Sequence, residues 1–208
     1  KEVSFIYFIK KNSAEIDNLR GFLNGLQINS GSIKFDNSKS LNVQGNLNSY
    51  LDLNKLNFTD IFKNQIFERF EDFQLIGNVE KIFQIKFDET LKIIDYKFEA
   101  LGNIKKSKIK FKEPINFLFV KNTIKNIDLE KSDFKINYGN KDEKILKING
   151  SYKINNNSFQ KFNLTHFNNL SSQKISIDGN FDEEIIIPIL NYSSKKKIIN
   201  LNTELETK

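Results

Sequence analysis

Cysteine, methionine and tryptophan are absent from this chain of 208 residues, and proline occurs only twice. Without cysteine there is no disulfide framework and no thiolate metal site. Without methionine the natural start is missing, so we expect an internal piece of a longer protein, for which the lack of a signal peptide carries no information. Arg20 and Arg69 are the only arginines, and the net charge of +6 rests almost wholly on lysine. Arginine is the side chain that grips phosphates and base edges with two prongs. The lysines are also dispersed among acids, which argues against nucleic acid as a partner. No run approaches the ~20 apolar residues of a membrane-spanning helix. The longest, FIYFI at 5–9, reads as a buried strand.

What the chain has instead is isoleucine, leucine and 20 phenylalanines, too aromatic and too patterned for disorder. The dominant pattern is strict alternation. Leu41, Val43, Gly45 and Leu47 alternate with Asn42, Gln44 and Asn46; Ile94, Tyr96, Phe98 and Ala100 with Asp95, Lys97 and Glu99. The same period runs through Ile109 and Phe111, through Phe134, Ile136 and Tyr138, through Leu146 to Ile154, and through Ile175 to Phe181. Successive side chains on a strand point to opposite faces, so each strand is apolar on one side and wet on the other. Parallel α/β sheets are excluded, because their strands are apolar on both sides and separated by helices. The expected fold is all-β: a long curved antiparallel meander with at most one or two short helices, spanning 1–208 as one segment. Thr59 can cap a helix with Ile61, Phe62, Ile66, Phe67 and Phe70 on one stripe, which predicts a helical insertion over 59–71. Asn12 to Leu26 reads either way.

A short phrase recurs: apolar, any residue, Gly, Asn or Ser, apolar. It stands as VQGNL at 43–47, LIGNV at 75–79, INGSY at 148–152 and IDGNF at 177–181. The spacing is irregular, so it is no strict solenoid repeat. A mid-strand glycine marks a bulge or bend where a sheet coils, or an ordinary kink in a sandwich.

Some ten to twelve strands then present apolar faces, with one predicted helix to cover them. Large exposed apolar patches are rare on soluble monomers. The sheet must therefore fold over itself as a sandwich, close as a barrel, or stay open with its apolar face wetted by lipid. The alternation alone does not separate these.

Catalytic and metal chemistry is not in view. His166 is the only histidine and has no second His or Cys to share a metal. Asp182, Glu183 and Glu184 follow a strand and read as a solvated turn rather than an acid–base pair. No glycine-rich loop opens a helix to cradle phosphate. Lys195, Lys196 and Lys197 read as a solvated turn, with anionic headgroups as the alternative. No cofactor and no enzymatic activity are expected.

The stretches LRGFLNGLQINSGSIKF (19–35), LNVQGNLNSYLDLNK (41–55) and DFKINYGNKDEKILKINGSYKINNNSF (133–159) resemble the repeating β-segments of the AsmA-like superfamily, the TamB/YhdP-type groove proteins. The resemblance implies an open β-groove or taco in the periplasm of a Gram-negative cell, anchored to the inner membrane by a segment outside this sequence. It implies phospholipid as the partner, moved passively toward the outer membrane, with other envelope proteins alongside and no catalytic residues. Combined with the alternation, it assigns the groove lining to Ile94, Tyr96, Phe98, Phe117, Phe119, Phe134, Ile136, Leu146, Ile148, Ile175 and Ile177. The competing expectation is a structural or adhesive β-sandwich module with a dry core and no ligand.

Overall fold

Alternating side chains, frequent turn residues and almost no proline build one hairpin after another. The computed structural model describes residues 2–23, 26–54, 68–116, 120–140, 144–169, 172–194 and 198–207. The strands are β1 (Val3–Lys10), β2 (Ser13–Leu23), β3 (Leu26–Asp36), β4 (Asn42–Asn54), β5 (Phe70–Phe87), β6 (Ile93–Ile115) and β7 (Ile124–Gly139). They continue with β8 (Lys144–Ile154), β9 (Gln160–Asn168), β10 (Gln173–Phe181), β11 (Ile186–Ile187), β12 (Tyr192–Ser193) and β13 (Ile199–Thr207). Eleven strands form one antiparallel sheet in chain order, β1 through β10 and then β13; β11 and β12 pair separately. The sheet is curved and open, with β1 and β13 as its edges among the described residues. This is the all-β meander that the alternation predicts.

Turn chemistry fixes the hairpins. Between β5 and β6, Asp88 Oδ1 accepts hydrogen bonds from the Thr90 and Lys92 amides at 2.8 and 3.0 Å, and Leu91 takes a positive φ of 61°. An Asx turn of this kind lets the side chain replace backbone partners. After β8, Asn155 sits at φ 52° and its Oδ1 accepts from the Lys125 and Asn126 amides at 2.8 and 3.2 Å.

Bulges interrupt the ladders at several points. In β6, Lys106 opposes Ile76 and Ile104 opposes Gly77, so Lys105 is an extra residue. In β7 the pairing with β8 slips between Glu130 and Asp133, where Lys131 has φ 47°. In β2 the slip against β1 falls between Asp17 and Arg20, at Asn18, φ 52°. Each bulge shifts the phase of alternation by one residue and sharpens the local twist.

No facing layer is built. Among the described residues, the strands of the large sheet pair only with their lateral neighbours, and the side-chain contacts that reach further stay within the sheet, as Tyr152 of β8 does to Asn180 of β10. The accessible surface is 14294 Å², against about 10,000 Å² for a compact monomer of this length. Among the described residues the buried apolar ones are Leu53, Phe73, Val79, Ala100, Ile104, Ile124 and Ile154, a thin set for so many strands.

Three expectations need correction. FIYFI at 5–9 reads as a buried strand but lies in β1, an exposed strand at the end of the sheet. Residues 59–67 of the helix predicted over 59–71 lie outside the described residues; Glu68 and Arg69 adopt a 3-10 turn, but the last two residues are strand, with Phe70 opening β5 opposite Phe111. Its ring meets Phe111 edge-on at 5.6 Å and stacks on Phe73 at 6.0 Å. The slip at Glu71 puts Phe70 and Phe73 on one side, and so imitates the three-residue spacing of a helix. Asn12 to Leu26, readable either way, is strand from Ser13 to Leu23; the phase shift at Asn18 gives Ile16 and Leu19 a helical spacing.

A candidate apolar ligand face

Register assigns each residue to a face, since directly opposed residues on antiparallel strands point the same way. One row runs Ile28, Ser49, Val79, Gly102, Phe134, Ile148, Leu164, Ile177 and Thr203 across β3 to β13. The next runs Gly31, Leu47, Lys81, Ala100, Ile136, Leu146, His166, Ile175 and Leu205. A third joins Ile33, Gly45, Phe83, Phe98 and Tyr138. The bulge at Lys105 keeps Ser107 and Ile109 on the side of Ile104 and Ala100, although their numbers have opposite parity.

The floor of this face is made of small side chains under larger neighbours. Ser49, Ser107, Ser132 and Ala100 are all buried. Gly45 lies beneath the ring of Phe83 and Gly102 beneath that of Phe134. Aromatic cover of a glycine across a strand pair compensates for its missing side chain. The larger lining residues, Phe98, Phe134, Ile136, Leu146, Ile148, Ile175 and Ile177, are half-buried. At the rim, the rings of Tyr96 and Tyr138 stack at 5.7 Å, and the Lys144 ammonium stands 4.8 Å from the Tyr138 ring centre.

The opposite face is polar and ion-paired. Lys135 meets Glu99 at 3.0 Å, Lys153 meets Asp128 at 3.2 Å and Lys174 meets Glu204 at 2.6 Å. These are cross-strand pairs, each worth little individually.

Of the lining residues expected from the sequence, Tyr96, Phe98, Phe134, Ile136, Leu146, Ile148, Ile175 and Ile177 share the apolar face. Phe117 and Phe119 lie outside the described residues. Ile94 has no partner in β5, because Lys86 opposes Asp95 and Phe87 opposes Ile93. Ile93 therefore holds the place that the alternation gives to Ile94. The expectation also stops short: Val79, Phe83 and Ile85 of β5 and Ile28 and Ile33 of β3 extend the face well beyond β6.

A small lobe closes one end of β7 to β9. Val120 bridges Ile185, and Lys121 pairs with Glu184 at 2.8 Å, which holds the Glu184 carboxyl below its ordinary range. Glu183 is buried and accepts hydrogen bonds from Asn122 Nδ2 and Asn157 Nδ2, both at 2.8 Å. The solvated turn expected at 182–184 is thus corrected at Glu183: two asparagine amides satisfy the carboxylate, as burial requires. Tyr152 donates to the Asn180 carbonyl at 2.9 Å, and its burial pushes the phenol up to about 12. His166 lies 2.8 Å from Gln173 Nε2. Among the described residues no cluster of His, Asp and Glu could hold a metal ion, and no helix is long and apolar enough to cross a membrane. Lys195, Lys196 and Lys197 lie outside the described residues. No protein-family model, no curated protein and no solved structure matches the chain.

Proposed function

We propose that the apolar face binds the acyl chains of phospholipids and carries them along the sheet without making or breaking a bond. The observation that carries this reading is the largely apolar face from β3 to β13, interrupted by Lys81 and a few uncharged polar residues, over which no second sheet is built among the described residues. A dry sandwich core would need an opposing sheet about 10 Å away. Exposed apolar surface on this scale marks a ligand or partner, and burial against acyl chains is worth about 25 cal/mol per Å². Long rows of Ile, Leu, Phe and Val suit flexible hydrocarbon, which asks for area rather than directional hydrogen bonds. The resemblance to AsmA-like groove segments adds the setting: a periplasmic groove between inner and outer membranes, held by an anchor outside this sequence. The reading is non-enzymatic and needs no cofactor.

The test is native mass spectrometry of the chain purified without detergent, paired with Phe98→Asp. Phe98 stands between Phe83 and Tyr138 in the third row. We expect adducts with phospholipid masses on the parent chain and their loss from Phe98→Asp, with the strand signal in circular dichroism retained. A clean apo mass under all conditions, with Phe98→Asp unfolding the chain, would establish a dry core instead.

A further inference from the structure

Lys81 is out of place. It faces the apolar side of β5, opposite Leu47 on β4 and Ala100 on β6, with Val79 and Phe83 as its neighbours along the strand. From β3 to β7 it is the only charged residue that register assigns to this face among the described residues outside the bulges. The adjoining carboxylates point the other way. Glu80 accepts from Asn46 at 3.3 Å, and Glu99 is taken by Lys135 at 3.0 Å. Among the described residues Lys81 has no hydrogen bond and no ion pair. Burial alone lowers its pKa, as expected of a half-buried ammonium with no anion beside it.

A half-buried cation without a partner is costly; a binding role accounts for one in the middle of a lining that otherwise avoids charge. We propose that Lys81 anchors the phosphate of a phospholipid whose acyl chains lie along the rows on either side, and so fixes where the head rests on the face. This rests on the acyl-binding reading above. The ammonium is a compact point charge on a flexible stem. It can follow a head group as the chains settle, whereas the neighbouring Leu47 and Ala100 supply area alone. Neighbouring strands lie about 4.8 Å apart, so the chains of one lipid reach several rows from this single anchor.

The test compares lysophosphatidic acid with the monoacylglycerol of the same acyl chain, a pair differing by the phosphate, on the full chain and on Lys81→Met and Lys81→Arg. Affinity is read by native mass spectrometry titration. We expect the parent chain to prefer the phosphorylated lipid by roughly tenfold, Lys81→Met to erase that preference while keeping its affinity for monoacylglycerol, and Lys81→Arg to retain it. Equal preference in parent and Lys81→Met would overturn the anchor and leave the acyl-binding face standing, since monoacylglycerol still binds. Binding of neither lipid to the parent chain would remove both readings. If inorganic phosphate alone bound as tightly as the phosphorylated lipid, the site would be one for a free anion and the lipid assignment would fall.

Discussion

The ring of Phe83 covers Gly45 across the β4–β5 pair so closely that a Cβ built on Gly45 would stand 2.5 Å from Phe83 Cζ and 2.9 Å from the Ser32 carbonyl oxygen. Gly45→Ala should therefore destabilise the sheet by about 1–3 kcal/mol, the usual cost of overpacking. Phe83→Leu should recover part of that loss in the double variant, leaving the backbone contact as residue. A double-mutant cycle by urea unfolding measures it; strictly additive effects would mean that the ring and the glycine are independent.

Lys81→Met should raise the melting temperature near neutral pH. The native ammonium has a lowered pKa while the unfolded one keeps the ordinary 10.5. Between the two values the unfolded chain binds more protons, so native stability rises with pH through that window. The advantage of the methionine variant should be full below the lowered native value and should vanish above 10.5. Melting curves across this range, with a constant gain at all pH values, would rule out the charge as its cause.

Tyr152 works in the opposite sense. Its native phenol titrates at about 12 against an ordinary 10.0. The stabilisation is complete below 10 and is lost as pH rises through the native value. Phenolate absorbance should show a step near 12, and Tyr152→Phe should remove that step. The variant should cost about 1 kcal/mol at neutral pH, for the hydrogen bond to the Asn180 carbonyl.

Glu183→Ala should cost about 1–3 kcal/mol by stranding the amides of Asn122 and Asn157 in a buried place. Amide exchange should accelerate first in 182–194 and leave β3 to β6 protected. Uniform acceleration over the whole sheet would show that the lobe is not a separate unit.

At the β1 edge, Ile6 and Phe8 lie on the otherwise polar face, while Tyr7 and Ile9 lie on the apolar one; Tyr7 and Ile9 are 65% and 75% exposed. An edge of this kind invites another strand. Sedimentation should report association that grows with concentration, and Phe8→Lys should weaken it. Unchanged association in the variant would point to another surface.

The strands of β6, β7, β8 and β10 were legible because their alternation survives for four residues or more between bulges. β5 was harder: Ile76 and Ile82 are apolar on the wet face, and Lys81 breaks the dry one, so neither parity looks clean. The bulges at Asn18, Lys105 and Lys131 left no compositional mark, since ordinary polar residues occupy them. Reading straight through one such slip set Ile94 in the place of Ile93. The buried state of Glu183 was illegible for another reason. Its partners Asn122 and Asn157 come from distant connections, and a run of three acids looks wet unless those amides are known to converge.

Because, among the described residues, β1 to β9 each pair only with the strands before and after them in the chain, the sheet has no central knot of backbone contacts whose loss would dissolve everything together. Its assembly should resemble a zipper: the first stable hairpin templates the next, and growth continues outward from wherever it starts. Damage in one pair should then fray the chain locally and broaden the thermal transition, instead of shifting a single sharp one.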